Sequence, residues 1–421
     1  MFPSLFTADP AAHVFSDGQL WLYADRDPAR ANKTWWAMCD YHAFSTRDLE
    51  NWIDHGSVLS CDDISWCAGP AWDGDCVERN GRYWYFFPMI DQIGVAVADR
   101  PEGPFRDAIG APLITRSTPG IRSKSSGLLV SPVVVESPMG IFLYFGQCEE
   151  LYGVELDESM TKLVGPVREV EHRGDYHEGP WVFYRHGRFH MIYGTGPIAE
   201  ILEEQSDHLS YAWSEGPFGP FHYRNIVQAD KGRTVQACLT EWGSKDVFFY
   251  HEDGPDNYHR RIRAEIVERP VDGGVELIPR GVSPVQARTL TLSARGRHNA
   301  EDYHEGAGAL ERIKEEPGFC GFLRMGSQGA FIQFKHWVAP DPLQAILLRV
   351  RRESEEPILI SILIDGSLVA ALRMEGPGTG KWESVEMPLS RAISGEFEEL
   401  TIRLDSTEPV HLGTFSFIEK K

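Results

Sequence analysis

Apolar residues in this chain fall into short runs, and long helical periods are nearly absent. Five runs are strongly aromatic: Leu20-Trp21-Leu22-Tyr23, Tyr83-Trp84-Tyr85-Phe86-Phe87, Ile141-Phe142-Leu143-Tyr144-Phe145, Phe189-His190-Met191-Ile192-Tyr193 and Val247-Phe248-Phe249-Tyr250. Each comes after a turn glycine (Gly18, Gly81, Gly140, Gly187 and Gly243), and each glycine comes after a β-rich segment. Successive glycines lie 63, 59, 47 and 56 residues apart, the spacing of propeller blades rather than of helical repeats. Gly103-Pro104-Phe105 and Gly216-Pro217-Phe218 mark hairpins at blade edges, where the ladder donor that proline lacks is least missed. The expectation is an all-β, five-bladed β-propeller over residues 1–285. Its one helix-like stretch, residues 198–207, reads as an insertion on a loop of the fourth blade.

After Arg280 the rhythm changes. Two apolar runs flank Asp365-Gly366 in a hairpin pattern, and residues 345–350, 400–404 and 414–418 read as further strands. Residues 290–421 are therefore expected to form a β-sandwich (jelly-roll) domain. No low-complexity tract separates the halves, so they are expected to pack together.

Composition narrows the partners. A net charge of −21 over 421 residues argues against nucleic acid, whose phosphates need a positive field; a neutral carbohydrate is compatible with it. The seven cysteines are odd in number and match no zinc spacing, which suits small buried residues in a reducing compartment. No stretch is apolar enough to span a bilayer, and the first residues lack the pattern of a secretion signal. The expected location is cytoplasmic, or outside the cell if a signal has been removed.

In a propeller, equivalent positions of the innermost strands converge on the axis. Nine residues before the cassette glycine stand Asp9, Trp72, Ser131 and Glu178. Ala8-Asp9-Pro10, Val130-Ser131-Pro132 and Glu178-Gly179-Pro180 suggest one structural slot filled three ways. Two carboxylates aimed into one pocket can act as base and acid in glycoside cleavage, with inversion when roughly 6.5–9.5 Å separates them. The alternative is that Asp9 caps a turn and Glu178 bonds backbone amides at a strand end. Trp72 is either a platform for a sugar face or a core residue. Trp35, Trp36, Asp40 and Tyr41 are candidates for the pocket border.

The Asp9 motif, Trp72-Asp73-Gly74-Asp75-Cys76-Val77-Glu78-Arg79-Asn80-Gly81, Ile93-Gly94-Val95-Ala96 and Glu178-Gly179-Pro180-Trp181 together resemble glycoside hydrolase family 43, in its β-xylosidase and α-L-arabinofuranosidase branches. The resemblance spans residues 5–280. It implies a five-bladed propeller that inverts, with Asp9 as base, Glu178 as acid, and a second Asp that orients the acid and keeps it protonated. That third position falls on Ser131, which cannot supply a charge; Asp75 or Asp73 is the candidate replacement. Among substrate contacts the resemblance implies Arg260 or Arg261. Gln236 stands where the family commonly has a His near the axis, beside a cation or water. The implied chemistry requires no cofactor or metal ligand, and Gln236 argues against an axial calcium.

Ala300-Glu301-Asp302-Tyr303, Gly329-Ala330-Phe331-Ile332 and Thr379-Gly380-Lys381-Trp382 resemble a carbohydrate-binding module of family 6. This implies either weak sugar binding, with Trp382 as first candidate, or a domain that covers one face of the propeller. The expected activity is exo-acting removal of a pentose, xylose or arabinofuranose, from an oligosaccharide. A lectin-like propeller that has lost turnover, and a hydrolase of another sugar such as galactose, are the alternatives.

Overall fold

The computed structural model describes the chain except residues 3–4, 28–37, 39, 68, 123–126, 196–207, 230–235, 255–258, 314–321 and 420–421. The expected helical insertion at 198–207, as well as Trp35 and Trp36, lies outside the described residues. Among the described residues, helix is confined to two single 3-10 turns, Cys61–Asp63 and Ala300–Asp302. No helix among the described residues is long and apolar enough to cross a membrane.

Strands come in antiparallel groups, each built outward in chain order. The first holds β1 (Thr7–Val14), β2 (Leu20–Arg26), β3 (Asp40–Thr46) and β4 (Asn51–Ser60). The second holds β5 (Asp75–Arg79), β6 (Arg82–Pro88), β7 (Gln92–Ala98) and the short β8 (Arg106–Asp107) and β9 (Ile114–Thr115). The third holds β10 (Val133–Ser137), β11 (Gly140–Gln147), β12 (Glu150–Leu156) and β13 (Leu163–Glu169). The fourth holds β14 (Tyr176–Arg185), β15 (Arg188–Thr195), β16 (His208–Ser214) and β17 (His222–Ala229), and β18 (Ala237–Trp242), β19 (Lys245–Glu252) and β20 (Arg261–Glu268) follow as a three-stranded sheet.

The aromatic runs are the second strands, β2, β6, β11, β15 and β19. Each pairs antiparallel with the strand before it and the strand after it. They are buried along nearly their whole length because neighbouring sheets cover both faces, which is why they read as unbroken apolar runs rather than as alternation. All five cassette glycines have positive φ, the backbone that a tight hairpin needs and that glycine adopts without strain. Outermost β13 is largely exposed.

Side chains join the sheets around the hub. Trp181 donates its indole N–H to the Leu239 carbonyl at 3.0 Å, and Arg185 grips Asp246 with two guanidinium nitrogens. Thr240 donates to the Ala12 carbonyl, linking the last sheet back to the first strand. The arrangement is all-β with propeller-like blades.

Four of these groups are sheets of their own. The first is not, because β4 runs parallel to β21 (Thr289–Asn299) from Asn51 to Asp54. It thereby becomes part of a 13-stranded sheet that continues into the C-terminal strands. Five separate blades are therefore corrected to four independent sheets and a first group fused to the C-terminal half.

The remaining strands are β22 (Glu305–Ala307), β23 (Leu310–Ile313), β24 (Phe322–Met325), β25 (Phe331–Arg351), β26 (Ile358–Ile364), β27 (Ser367–Met374), β28 (Trp382–Leu404) and β29 (Val410–Glu419). The expected hairpin around Asp365-Gly366 joins β26 to β27. Long β25 and β28 pair along most of their length with irregularities near Ala339 to Ala345. This half has its own apolar cluster, including Trp337, Phe397, Phe415 and Phe417.

The two halves pack together through buried charge as well as through β4 and β21. Arg26 is 1% exposed and donates to Asp40 (3.0 Å), Glu301 (2.9 Å) and Asp302 (3.1 Å), and Asn299 donates to the other oxygen of Asp40. Glu301 and Asp302, read from the sequence as the opening of a sugar-binding module, here serve as counter-charges for a first-sheet arginine. The Trp382 ring is engaged by Arg349 and Arg351, at 5.3 and 5.2 Å, and by the edge of Phe322, so it is packed among side chains rather than held open as a platform.

Arg26→Met leaves the buried Asp40 and Glu301, and the half-buried Asp302, without their shared cation. The expected loss is roughly 3–5 kcal/mol, read as a lowered denaturant midpoint.

Candidate active site

Each of the first four sheets opens with the same local irregularity. β1 pairs Ala8 with Asp25 and resumes at Ala11 with Tyr23, skipping Asp9-Pro10. β14 pairs Glu178 with Gly194 and resumes at Trp181 with Ile192, skipping Gly179-Pro180. In the third sheet the Gly146 N–H donates to the Val130 carbonyl (2.8 Å) and pairing begins at Val133, leaving Ser131-Pro132 between. In the second, pairing begins at Asp75, so Asp73-Gly74 hold the corresponding place. Asp9, Ser131 and Gly179 share a left-handed backbone, with φ of 51, 56 and 60°. Such a bulge turns side chains out of the ladder and re-aims them.

Counting from the cassette glycine put Trp72 and Glu178 in the slot of Asp9 and Ser131. By strand register the equivalents are Asp73 and Gly179, and Trp72 and Glu178 stand one residue earlier. The cause is the hairpin. In the second and fourth sheets the glycine is the second turn residue, after Asn80 or His186, whereas in the third Gly140 is already paired with Ser137. The four bulges nevertheless open onto one cavity. Asp9, Trp72, Asp73, Ser131 and Glu178 line it with Gln236 and Arg260, enclosing ≈ 170 Å³.

Asp9 is held by charge. Arg260 Nη1 donates to its Oδ2 at 2.9 Å, and His251 Nδ1 stands 3.1 Å from Oδ1. Burial alone would favour the neutral acid, but Arg260 and His251 outweigh it and hold this carboxyl well below the ordinary range. Burial likewise opposes the His251 charge, and Asp9 overrides it and pulls the imidazole up. The buried Arg260 also grips Asp27 through Nε and Nη2, and through its own backbone N–H.

Glu178 accepts from Gln147 Nε2 at 2.9 Å, with His177 Nε2 3.9 Å away. Ser131 Oγ accepts the N–H of Gly179 at 3.3 Å, while the Ser131 N–H donates to Asp73 Oδ1 at 3.1 Å. A hydrogen-bonded path thus runs from Asp73 through Ser131 to the residue after Glu178. Burial first, then the charges of Asp9 and Glu178, push Asp73 up to about 7 against the pull of its bonds to Ser131.

Not every expected substrate contact is here. Asp75 is not among the cavity residues: it is 1% exposed, pairs with His13 at 2.7 Å and accepts the Val134 N–H. It ties three sheets together below the site. Arg261 also lies elsewhere, over the Phe6 ring and near the Phe2 carbonyl. Asp40 and Tyr41 are buried away from the cavity, Asp40 on Arg26 and Tyr41 against Tyr85. Sequence reasoning missed Met38 and Gln147, which line the cavity, and Asp25, Asp27 and His251 behind Asp9. For His251 and Asp25 a signal existed: an ionisable residue just beyond the aromatic run of its strand. Among the described residues no three or more His, Cys, Asp or Glu side chains are grouped to hold a metal ion.

Known proteins resemble this chain in sequence and in fold. A family model described as glycosyl hydrolases family 43 matches residues 6–273. A xylosidase/arabinosidase of Bacteroides ovatus is 29% identical over 320 residues, covering 63% of this chain and 91% of that protein. A crystal structure of a Xanthomonas citri enzyme of the family complexed with xylotriose is 27% identical, with a TM-score of 0.54 over 65% of this chain and 91% of that one. An arabinoxylan arabinofuranohydrolase from Bacillus subtilis, in complex with cellotetraose, aligns over 100% of this chain and 97% of its own at a TM-score of 0.58. At 20% identity this last likeness concerns the fold, and it extends through the C-terminal half.

Asp73 generates a pH test. Its folded value of about 7 lies above the unfolded 3.8, so its contribution to stability is fully present below about pH 4 and is lost as pH rises through 7. Asp73→Asn is expected to flatten that decline, gaining on the order of 2–4 kcal/mol over wild type between pH 4 and 8, as measured by urea unfolding across the range.

Proposed function

The chain belongs to glycosyl hydrolase family 43, and from that premise we propose an exo-acting, inverting glycosidase that removes xylose or arabinofuranose from an oligosaccharide. The observation that carries the proposal is the lining of one small cavity by Asp9 and Glu178, each with its own hydrogen-bond partners. Asp9, kept anionic by Arg260 and His251, accepts a proton from water as that water attacks the anomeric carbon. Glu178 gives its proton to the departing glycosidic oxygen. A hollow of ≈ 170 Å³ has the space of about six waters. This supports a pocket for one terminal sugar rather than a cleft for a polymer. The half-buried Trp72 supplies a wall on which a sugar face can rest, and Gln236 a neutral hydrogen-bonding group.

The vacated Ser131 position has a replacement in this reading. Asp73 occupies the register position of Ser131 one sheet earlier, lines the same cavity and bonds the Ser131 amide. We assign it the role of the third carboxylate, setting the charge around Glu178 from the second blade. No step is routed through a cation, since Gln236 offers a neutral amide where the resemblance leads to an imidazole. The likeness to xylosidases and arabinosidases favours the pentose over galactose and over a lectin without turnover.

In the same reading β1–β4 count as the fifth blade, because their bulge and aromatic strand repeat those of the other blades. Residues 1–285 form the catalytic propeller and 290–421 a jelly-roll domain. The contacts of Glu301, Asp302 and Trp382 support a bracing role for that domain rather than a sugar-binding one.

Leaving-group chemistry separates the roles. On an unactivated pentosyl disaccharide, Glu178→Gln is expected to lower kcat roughly 10²–10⁴-fold. On the nitrophenyl pentoside, whose leaving group needs little protonation, the loss is expected to be much smaller. Asp9→Asn is expected to be strongly impaired on both. Equal losses of Glu178→Gln on the two substrates would remove Glu178 from the role of acid.

A further inference from the structure

Arg260 is surrounded by three carboxylates, and the third, Asp25, has no structural reason to be there. On β2 it stands opposite Ala8, two residues beyond the first regular pair of that sheet. The same position is Pro88 in the second sheet, Gly146 in the third and Gly194 in the fourth. Three blades therefore build this bend without a carboxyl, and the first buries one completely, at 0% exposure.

Among the described residues no hydrogen-bond donor reaches either oxygen of Asp25. Arg260 comes nearest, at 3.6 Å, with its close contacts committed to Asp27 and Asp9. An anion in this position would bear the full cost of burial without a hydrogen bond. A neutral carboxyl avoids that cost, and its nearest candidate partner is Asp9: Asp25 pairs with Ala8, the residue before Asp9, and both carboxyls converge on the Arg260 guanidinium, at 3.6 and 2.9 Å. Charge is short as well, because the one guanidinium of Arg260 is shared by three carboxyls, with Asp27 at 2.8 Å, Asp9 at 2.9 Å and Asp25 farthest at 3.6 Å.

We propose that Asp25 is a positioning residue that holds a proton and donates it to Asp9, so that the base works as one half of a carboxyl–carboxylate pair. This rests on the reading of Asp9 as the base. The Asp25 hydroxyl takes up one lone pair of Asp9 and Arg260 Nη1 another, which leaves a lone pair for water on the side of the cavity. During turnover the water oxygen bonds to the anomeric carbon and its proton passes to Asp9. The pair then holds two protons, and Asp9 returns one to solvent after the sugar leaves. Asp25 keeps its own proton throughout.

The groups facing Asp25 are Asp9 from β1, Asp27 and Arg260 beside it, and the phenols of Tyr41 on β3 and Tyr85 on β6, while His251 from β19 contacts Asp9. Burial first, and the Asp9 charge next, raise its carboxyl well above the ordinary range despite Arg260.

Asp25→Asn is the discriminating variant, because an amide N–H can donate to Asp9 as the acid does. It is expected to keep kcat on a pentoside within about threefold of wild type, whereas Asp25→Ala, which has no donor, falls roughly tenfold or more. The wild type at pH 7 is expected to show the infrared carbonyl band of a neutral buried carboxyl, lost in Asp25→Asn. Stability at pH 8 should be equal or higher in Asp25→Asn, since a carboxyl raised on folding loses its contribution as pH climbs. An Asp25→Asn protein that folds but is as inactive as Asp9→Asn overturns the proposal, as does a wild type without the Asp25 band. Should Asp25→Asn not fold, the infrared comparison with Asp25→Ser decides. An active Asp9→Asn would instead sink the reading of Asp9 as base, while the infrared band would still report the proton on Asp25.

Discussion

One guanidinium organises this molecule's functional end. Arg260 comes from the segment leading into β20, more than 230 residues away from Asp9, Asp25 and Asp27, and it meets all three within 3.6 Å. The contacts tie the last sheet to the first, and they keep Asp9 ionised inside the protein. A single buried ion pair adds little to stability on balance, but loss of one partner is costly. That asymmetry suits a residue that keeps Asp9 charged at a place where burial would otherwise neutralise it.

The carboxylates around the cavity then sort by environment. Arg260 and His251 drive Asp9 down against its burial, whereas burial first, and then the Asp9 charge, drives Asp73 up. Neighbouring acids pushed in opposite directions are how one pocket supports both halves of acid–base chemistry near neutral pH. The proposed replacement of an acid at 131 by Asp73 fits this logic. Adjacent blades deliver equivalent register positions to the same hollow, so a charge lost from one blade can be supplied by the next.

Much of the framework was legible in the sequence because it is repetitive. Buried second strands announce themselves as aromatic runs, and positive-φ turns as glycines. Asp9 and Glu178 could be found by counting from those glycines. What the counting could not resolve was a single residue of turn length. It assigned Trp72 and Glu178 to the slot that strand register gives to Asp73 and Gly179, and it left Asp75 and Asp73 indistinguishable. Asp75 proved to be a clamp between sheets and Asp73 a wall of the cavity. Arg260 and Arg261 presented the same difficulty: adjacent residues at a strand entrance face opposite ways, and only one can face the hub. Gln147 and Met38 carried no signal, since nothing local distinguishes a cavity-lining amide or thioether from any other. The fusion of the first blade to the C-terminal strands was also invisible, because parallel pairing of β4 with β21 joins segments over 230 residues apart.

Inversion requires Asp9 and Glu178 to act from opposite sides of a sugar with a water between the base and the anomeric carbon. The most direct test is proton NMR of the first sugar released from a pentoside of defined anomeric configuration, recorded before mutarotation. Initial release of the opposite anomer is the predicted result; release of the same anomer as the substrate would contradict it.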